Sequence, residues 1–188
     1  MKRFTLVACA VLALGFSSTA FSQLQAISVG GGIAKPSGSF NDFAGTGFGG
    51  GVRGYYNYEG LENIVLTGTV GYYRFGEKEY SALGFNTGIG YKWSLIPIMS
   101  GGRYYLGAPD AGARFFVGGE LGIHIYSVSV VGDNNVFGSS TLAGSTDFAL
   151  IPMVGAELGP LDIHAEYSIS DLKYLGIKGA FKFPVGKK

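Results

Sequence analysis

Cysteine is nearly missing from this chain. Cys9 is the only one, and it lies in the first few residues. That excludes disulfides and thiol chemistry from the body of the protein, although small exported domains often depend on disulfides. Charge is also scarce, at 14% of residues, and neither sign dominates: 14 Lys+Arg stand against 13 Asp+Glu. No basic excess exists to displace counterions from phosphates, so nucleic acid is excluded as a partner. Histidine occurs twice, as His124 and His164. Two histidines make no zinc site without further ligands, and no H-E-x-x-H pattern occurs. No stretch reaches the roughly 20 apolar residues a membrane helix needs. Beyond the N-terminus, no segment shows sustained helical periodicity.

The N-terminus has the layout of an export signal. Met1-Lys2-Arg3 is a short basic start, Phe4 to Phe16 an apolar run, and Ser17-Ser18-Thr19-Ala20-Phe21-Ser22 a small-residue stretch. We expect residues 1–22 to be a signal peptide and residues 23–188 to be a single domain. Cleavage at Cys9, as in a lipoprotein, would leave only Phe4 to Ala8 as the apolar core, which is too short. Removing Lys2 and Arg3 leaves 12 cations against 13 carboxylates, a net charge of −1.

Glycine and alternation are abundant. There are 33 Gly, without a collagen-like period, and many lie inside apparent strands, as in Gly49-Gly50-Gly51, Gly101-Gly102 and Gly118-Gly119. Glycine weakens an ordinary strand, but in a tightly curved sheet it permits sharp coiling. Phe115, Val117, Gly119, Leu121, Ile123 and Ile125 share one face of a strand, and Arg114, Glu120 and His124 the other. Leu161, Ile163, Ala165 and Tyr167 alternate with Asp162, His164, Glu166 and Ser168. Leu175, Ile177, Phe181 and Phe183 alternate with Lys178 and Lys182. A period of two means strand. A soluble sandwich would bury the apolar face, whereas a membrane barrel turns it to lipid and encloses the charges.

Eight strands are predicted near 25–35, 46–57, 63–75, 92–106, 113–127, 146–159, 161–169 and 174–184. Most match the roughly 9–11 residues of a tilted membrane strand. Tyr58 to Glu62, Gly107 to Gly112 and Pro160 are short turns. Lys35 to Gly45, Gly76 to Tyr91 and Val128 to Ser145 are longer and polar, and Ser170 to Lys173 is short. Short turns at one end and long loops at the other mark outer-membrane barrels, with the turns periplasmic. The fold class expected is all-β, an eight-stranded antiparallel up-and-down transmembrane barrel. Aromatics near strand ends suggest two interfacial belts. They include Tyr55, Tyr56, Tyr104, Tyr105, Phe115, Phe116, Phe181 and Phe183 on the periplasmic side. Tyr72, Tyr73, Trp93, Tyr126, Phe148, Tyr167 and Tyr174 fall on the outer side. If Arg103 and Glu157 both face inward, Pro97 faces inward and Pro152 outward. A bulge would then reconcile the similar stretches around them, and both prolines are expected near the outer rim.

Three segments carry a resemblance: Ile96-Pro97-Ile98-Met99-Ser100-Gly101-Gly102-Arg103-Tyr104-Tyr105-Leu106, Phe115-Phe116-Val117-Gly118-Gly119-Glu120-Leu121-Gly122 and Gly176-Ile177-Lys178-Gly179-Ala180-Phe181-Lys182-Phe183. With them the chain resembles the small bacterial outer-membrane β-barrel proteins of the OmpA/OmpX-like, porin-family type. The resemblance spans essentially all of 23–188 and implies location in the bacterial outer membrane. Family members commonly end on an aromatic residue. Here Phe183 is the last, followed by Pro184-Val185-Gly186-Lys187-Lys188, so Phe181 and Phe183 are the residues left to act as the insertion signal.

The candidate site is a lumen charge network of Arg53, Arg103, Arg114, Glu120, His124, Glu157, Asp162, His164, Glu166, Lys178 and Lys182. An ion path or proton-linked site is one use of it. Mutual pairing that fills a narrow lumen is the other, and is favoured because eight strands enclose just enough space for side chains. His164, Glu166 and Ser168 share one face of one strand, so they stack in a row instead of converging as a triad. Loop residues Asn41, Asp42, Asp133, Asn134, Asn135 and Asp147 form no twelve-residue calcium loop and read as solvated tips. No cofactor, metal or enzymatic activity is expected. The expected partners are outer-membrane lipids, with the protein a monomer. The role expected is structural, surface-interacting or envelope-maintaining. A small porin or carrier for apolar solutes, and a soluble periplasmic lipocalin-like binder, are the alternatives.

Overall fold

The computed structural model describes residues 24–57, 60, 63–82, 85–107, 112–132 and 140–185. The expected signal peptide, and Asp133, Asn134 and Asn135, lie outside the described residues. The elements are β1 (Leu24–Pro36), α1 (Phe40–Phe43), β2 (Gly47–Asn57), β3 (Ile64–Phe75), β4 (Glu79–Ala82), β5 (Phe85–Leu106), β6 (Ala113–Gly132), β7 (Ser140–Leu158), β8 (Leu161–Ser168) and β9 (Tyr174–Pro184). Every pairing is antiparallel. β1 pairs with both β2 and β9, and β3 pairs with β5, which closes the sheet into a ring. The ring has eight strands. β4 stands outside it, paired among the described residues to the start of β5 alone.

The direction of the side chains follows the alternation. Leu121, Ile177, Val154 and Phe115 face outward, each at least half exposed, while Glu120 and Arg103 are 2% and 1% exposed. β8 shows the rule along its whole length: Asp162, His164, Glu166 and Ser168 are buried, and the residues between them are exposed. An apolar exterior around an ionised interior is stable only with hydrocarbon outside. A lipocalin-like soluble barrel requires the reverse and is ruled out by this arrangement.

Glycine lets the wall curve. A Cβ on Gly101 would overlap the Gly119 carbonyl of β6, and one on Gly32 would overlap the Ile177 carbonyl of β9. At these points adjacent strands coil too tightly for any side chain.

Three features depart from the sequence-based expectation. First, β5, β6 and β7 run well past their predicted ends, through segments read as loops. The extensions are rich in Gly, Ser, Asn and Thr, a composition that reads as loop. Second, the first long loop contains the single turn α1, too short to show a period. Third, the two prolines need no bulge. Pro97 is buried and Pro152 exposed, yet the β5–β6 register is unbroken, and the shift in β6–β7 lies at Val128/Ser129, far from either proline. Neither sits at the rim: Pro97 is opposite His124, and Pro152 opposite Gly119. The effect of Pro97 appears on its other side. The β3–β5 ladder pairs Val70 with Ile98 and Tyr73 with Leu95, and omits the two positions between. Proline has no N–H to offer there.

Candidate functional site

The lumen is filled in layers. At the loop end, Phe40 of α1 drops into the mouth and meets Phe75 and Trp93 edge-on, at 5.0 and 5.4 Å between centroids. Ala34, Ala44, Tyr73, Leu95, Leu172 and Tyr174 complete this apolar layer. At the turn end, Tyr105, Phe116 and Met153 form a smaller one.

The ionised residues lie between these layers. Arg53 of β2 binds Glu120 of β6 through two nitrogens, Nε to Oε1 at 3.1 Å and Nη2 to Oε2 at 3.3 Å. Glu120 also accepts from the Thr67 and Thr69 hydroxyls at 2.7 and 2.8 Å. Arg53 Nη1 approaches His164 Nε2 at 3.4 Å, and His164 Nδ1 lies 2.7 Å from Asp162. Asp162 accepts from Arg103 and from the Tyr55 hydroxyl. Arg103 reaches Glu157 at 3.7 Å, and Glu157 accepts from Tyr105 and, at 2.6 Å, from Lys182. On the loop side, Glu166 accepts from Lys178 at 2.7 Å and from Tyr174 at 3.3 Å; His164 Nε2 is 3.7 Å from it.

Nine of the eleven candidate residues therefore join one continuous network: Arg53, Arg103, Glu120, Glu157, Asp162, His164, Glu166, Lys178 and Lys182. Two stand apart. His124 belongs to the loop-end layer, stacked on Tyr174 at 6.2 Å, with Ser170 Oγ 3.4 Å from its Nδ1. Arg114 has no carboxylate partner among the described residues and instead lies over the Tyr105 ring at 4.2 Å. Ser168 donates to the Leu172 carbonyl at 3.2 Å and takes no part with His164 and Glu166.

Sequence reasoning missed the neutral hydroxyls that complete the network: Tyr55, Tyr105, Tyr174, Thr67 and Thr69. The signal was parity. Tyr55 is two residues from Arg53, and Tyr105 two from Arg103, so each pair must share a face. The same rule corrects the aromatic belts. Tyr55, Tyr73, Tyr105, Phe116 and Tyr174 point inward and are buried, while Tyr72, Tyr104, Phe115, Phe148, Tyr167, Phe181 and Phe183 point to lipid.

No protein-family model matches the chain, and no curated protein matches it in sequence. Among solved structures it is similar to Neisserial surface protein A (NspA), with a TM-score of 0.51 at 14% identity, over 85% of this chain and 96% of that one. The fold is that of the small outer-membrane β-barrels. It is also similar to Ail, the attachment invasion locus protein of Yersinia pestis, with a TM-score of 0.47 at 13% identity, over 85% of this chain and 99% of that one. Closed antiparallel barrels with a lipid-facing apolar wall and a polar interior are outer-membrane structures. This chain is accordingly a bacterial outer-membrane protein.

Proposed function

We propose that the chain is a non-enzymatic, monomeric barrel whose lumen is closed to solutes, and whose role is to hold a raised sheet at the cell surface. The observation that carries this is the inequality of the strands. β5, β6 and β7 have 22, 20 and 19 residues, against 12, 8 and 11 for β3, β8 and β9. A spanning strand needs roughly 9–11. The surplus lies at the loop end of three adjacent strands, so they continue together as a sheet beyond the lipid.

That sheet has an open edge. Among the described residues the first half of β7 pairs with β6 alone, because β8 stops at Ser168 and adds only the single bridge between Leu150 and Ile169. An unpaired edge carries free N–H and C=O groups that a partner strand can complete. The filled lumen supports the closed-barrel part of the reading. The space beside Arg53, His164 and Lys178 is about 40 Å³, enough for a few waters and far short of a ligand pocket of roughly 300 Å³.

The test shortens the raised part. Residues 127–144 are replaced by Asn-Gly, a two-residue hairpin turn, at the level where Tyr126 pairs with Ser145. The shortened barrel should keep heat-modifiable gel migration, and cells displaying the intact chain should bind host or matrix surfaces that cells displaying the shortened one do not. Unchanged adhesion, or clear single-channel conductance of the wild type in planar bilayers, contradicts the proposal.

A further inference from the structure

The turn end of the barrel, facing the periplasm, holds a cavity that the raised sheet does not use. It measures about 350 Å³ and is bounded by Tyr55, Tyr105, Arg114 and Lys182, with Gln25, Asn57 and Asn63 at its rim. Its charges do not balance. Arg103, Arg114 and Lys182 stand at this end against Glu157 and Asp162, so among the described residues one cation is in excess.

Both carboxylates are already committed. Glu157 is taken by Tyr105, Lys182 and Arg103, and Asp162 by Arg103, Tyr55 and His164. Among the described residues, the cation left without a carboxylate is therefore Arg114. Its side chain lies on the Tyr105 ring, and its Nε is buried with no acceptor. A buried guanidinium N–H without an acceptor is costly, and the fork of an arginine fits a carboxylate through two parallel bonds.

We propose that this vestibule binds the free carboxylate end of a short peptide from the periplasm, with Arg114 holding the carboxylate and Lys182 beside it. A single excess charge among the described residues matches a monoanion better than a doubly charged phosphate. The rim supplies side-chain amides, which both donate and accept and so suit a peptide backbone. Ala26, Ile64, Val65 and Pro184 supply apolar wall for small side chains. The inference stands independently of the raised sheet, since the two lie at opposite ends of the barrel.

The experiment titrates N-acetyl-trialanine, as the free acid and as its C-terminal amide, into the full chain in detergent micelles. The readout is the arginine Nε–H resonance of Arg114 in the wild type and, in the wild type and both variants alike, the backbone amide resonances of Gln25 and Asn63 at the rim. The free acid should shift these saturably, and the amide should not. Inorganic phosphate at matched ionic strength should bind more weakly than the acid. Arg114→Gln should weaken acid binding by about tenfold or more, the order of one charge-assisted pair. Asn57→Asp, which keeps Arg114 and adds a repelling carboxylate at the rim, should weaken it as well. Equal binding of acid and amide overturns the proposal. So does tighter binding of phosphate, or acid binding indifferent to both substitutions.

Discussion

Arg53 and Glu120 reach toward each other from nearly opposite walls of the barrel and meet in a two-pronged ion pair, Nε to Oε1 at 3.1 Å, with both side chains almost fully buried. The pair links β2 to β6, which share no backbone hydrogen bond. It therefore ties the ring across its lumen.

Removing one partner should cost more than removing both. Glu120→Ala leaves a buried guanidinium unpaired and should destabilise the barrel by about 3–5 kcal/mol. Arg53→Met with Glu120→Leu, which replaces the pair by apolar bulk, should recover most of that loss. Urea unfolding in lipid vesicles, read by tryptophan fluorescence from Trp93, measures both.

The neighbouring position probes the other side of the wall. Leu121 faces lipid, and a cation there near mid-depth costs about 2–4 kcal/mol. Leu121→Arg should reduce the heat-modifiable fraction on gels after folding into vesicles. Normal barrel formation by this variant contradicts the assigned facing.

Two glycines on adjacent strands, one register step apart, should respond unequally. Gly101→Ala forces a methyl into the Gly119 carbonyl and should cost about 1–3 kcal/mol by overpacking. At Gly119 the nearest atom to an added Cβ is the Ile151 carbonyl at 3.8 Å, an ordinary contact. Gly119→Ala should change the urea midpoint little. A reversed order would refute the account of where the strands crowd.

The single turn α1 should matter for stability without acting as a gate. Phe40→Ala removes the edge-on contacts to Phe75 and Trp93 and should lower stability by about 3 kcal/mol or more. Planar-bilayer recordings should stay silent, because the ionic network beneath it remains. Conductance appearing in Phe40→Ala would mean that α1 alone closes the lumen.

The spanning part of the barrel was legible wherever opposite environments force opposite residues. The row from Phe115 to Ile125, against Glu120 and His124, is readable because one side meets lipid and the other meets ions. Legibility stops where that contrast stops. Phe85, Ile89 and Tyr91 do alternate with Asn86, Gly88 and Gly90, but the glycine and asparagine between them read as loop, and Ser140 to Ser145 carried no alternation to read. The site was legible through its charges and obscure through its hydroxyls. Tyr55 and Tyr105 have the same bulk and apolarity as the lipid-facing Tyr56 and Tyr104 beside them. Only parity with Arg53 and Arg103 separates the two kinds. The prolines misled for another reason: similarity between the stretches around Pro97 and Pro152 suggested equivalent positions, whereas the two strands simply place them on opposite faces.

The facing of the wall is tested most directly by nitroxide labels at residues 120 and 121, attached through Glu120→Cys and Leu121→Cys on a Cys9→Ser background, with the protein folded in vesicles. The label at 121 should relax strongly with dissolved oxygen and hardly at all with a water-soluble nickel chelate, as lipid exposure requires. The label at 120 should be immobilised and shielded from oxygen. A label at 121 that is immobile and shielded, with one at 120 open to the nickel chelate, would show the wall reversed.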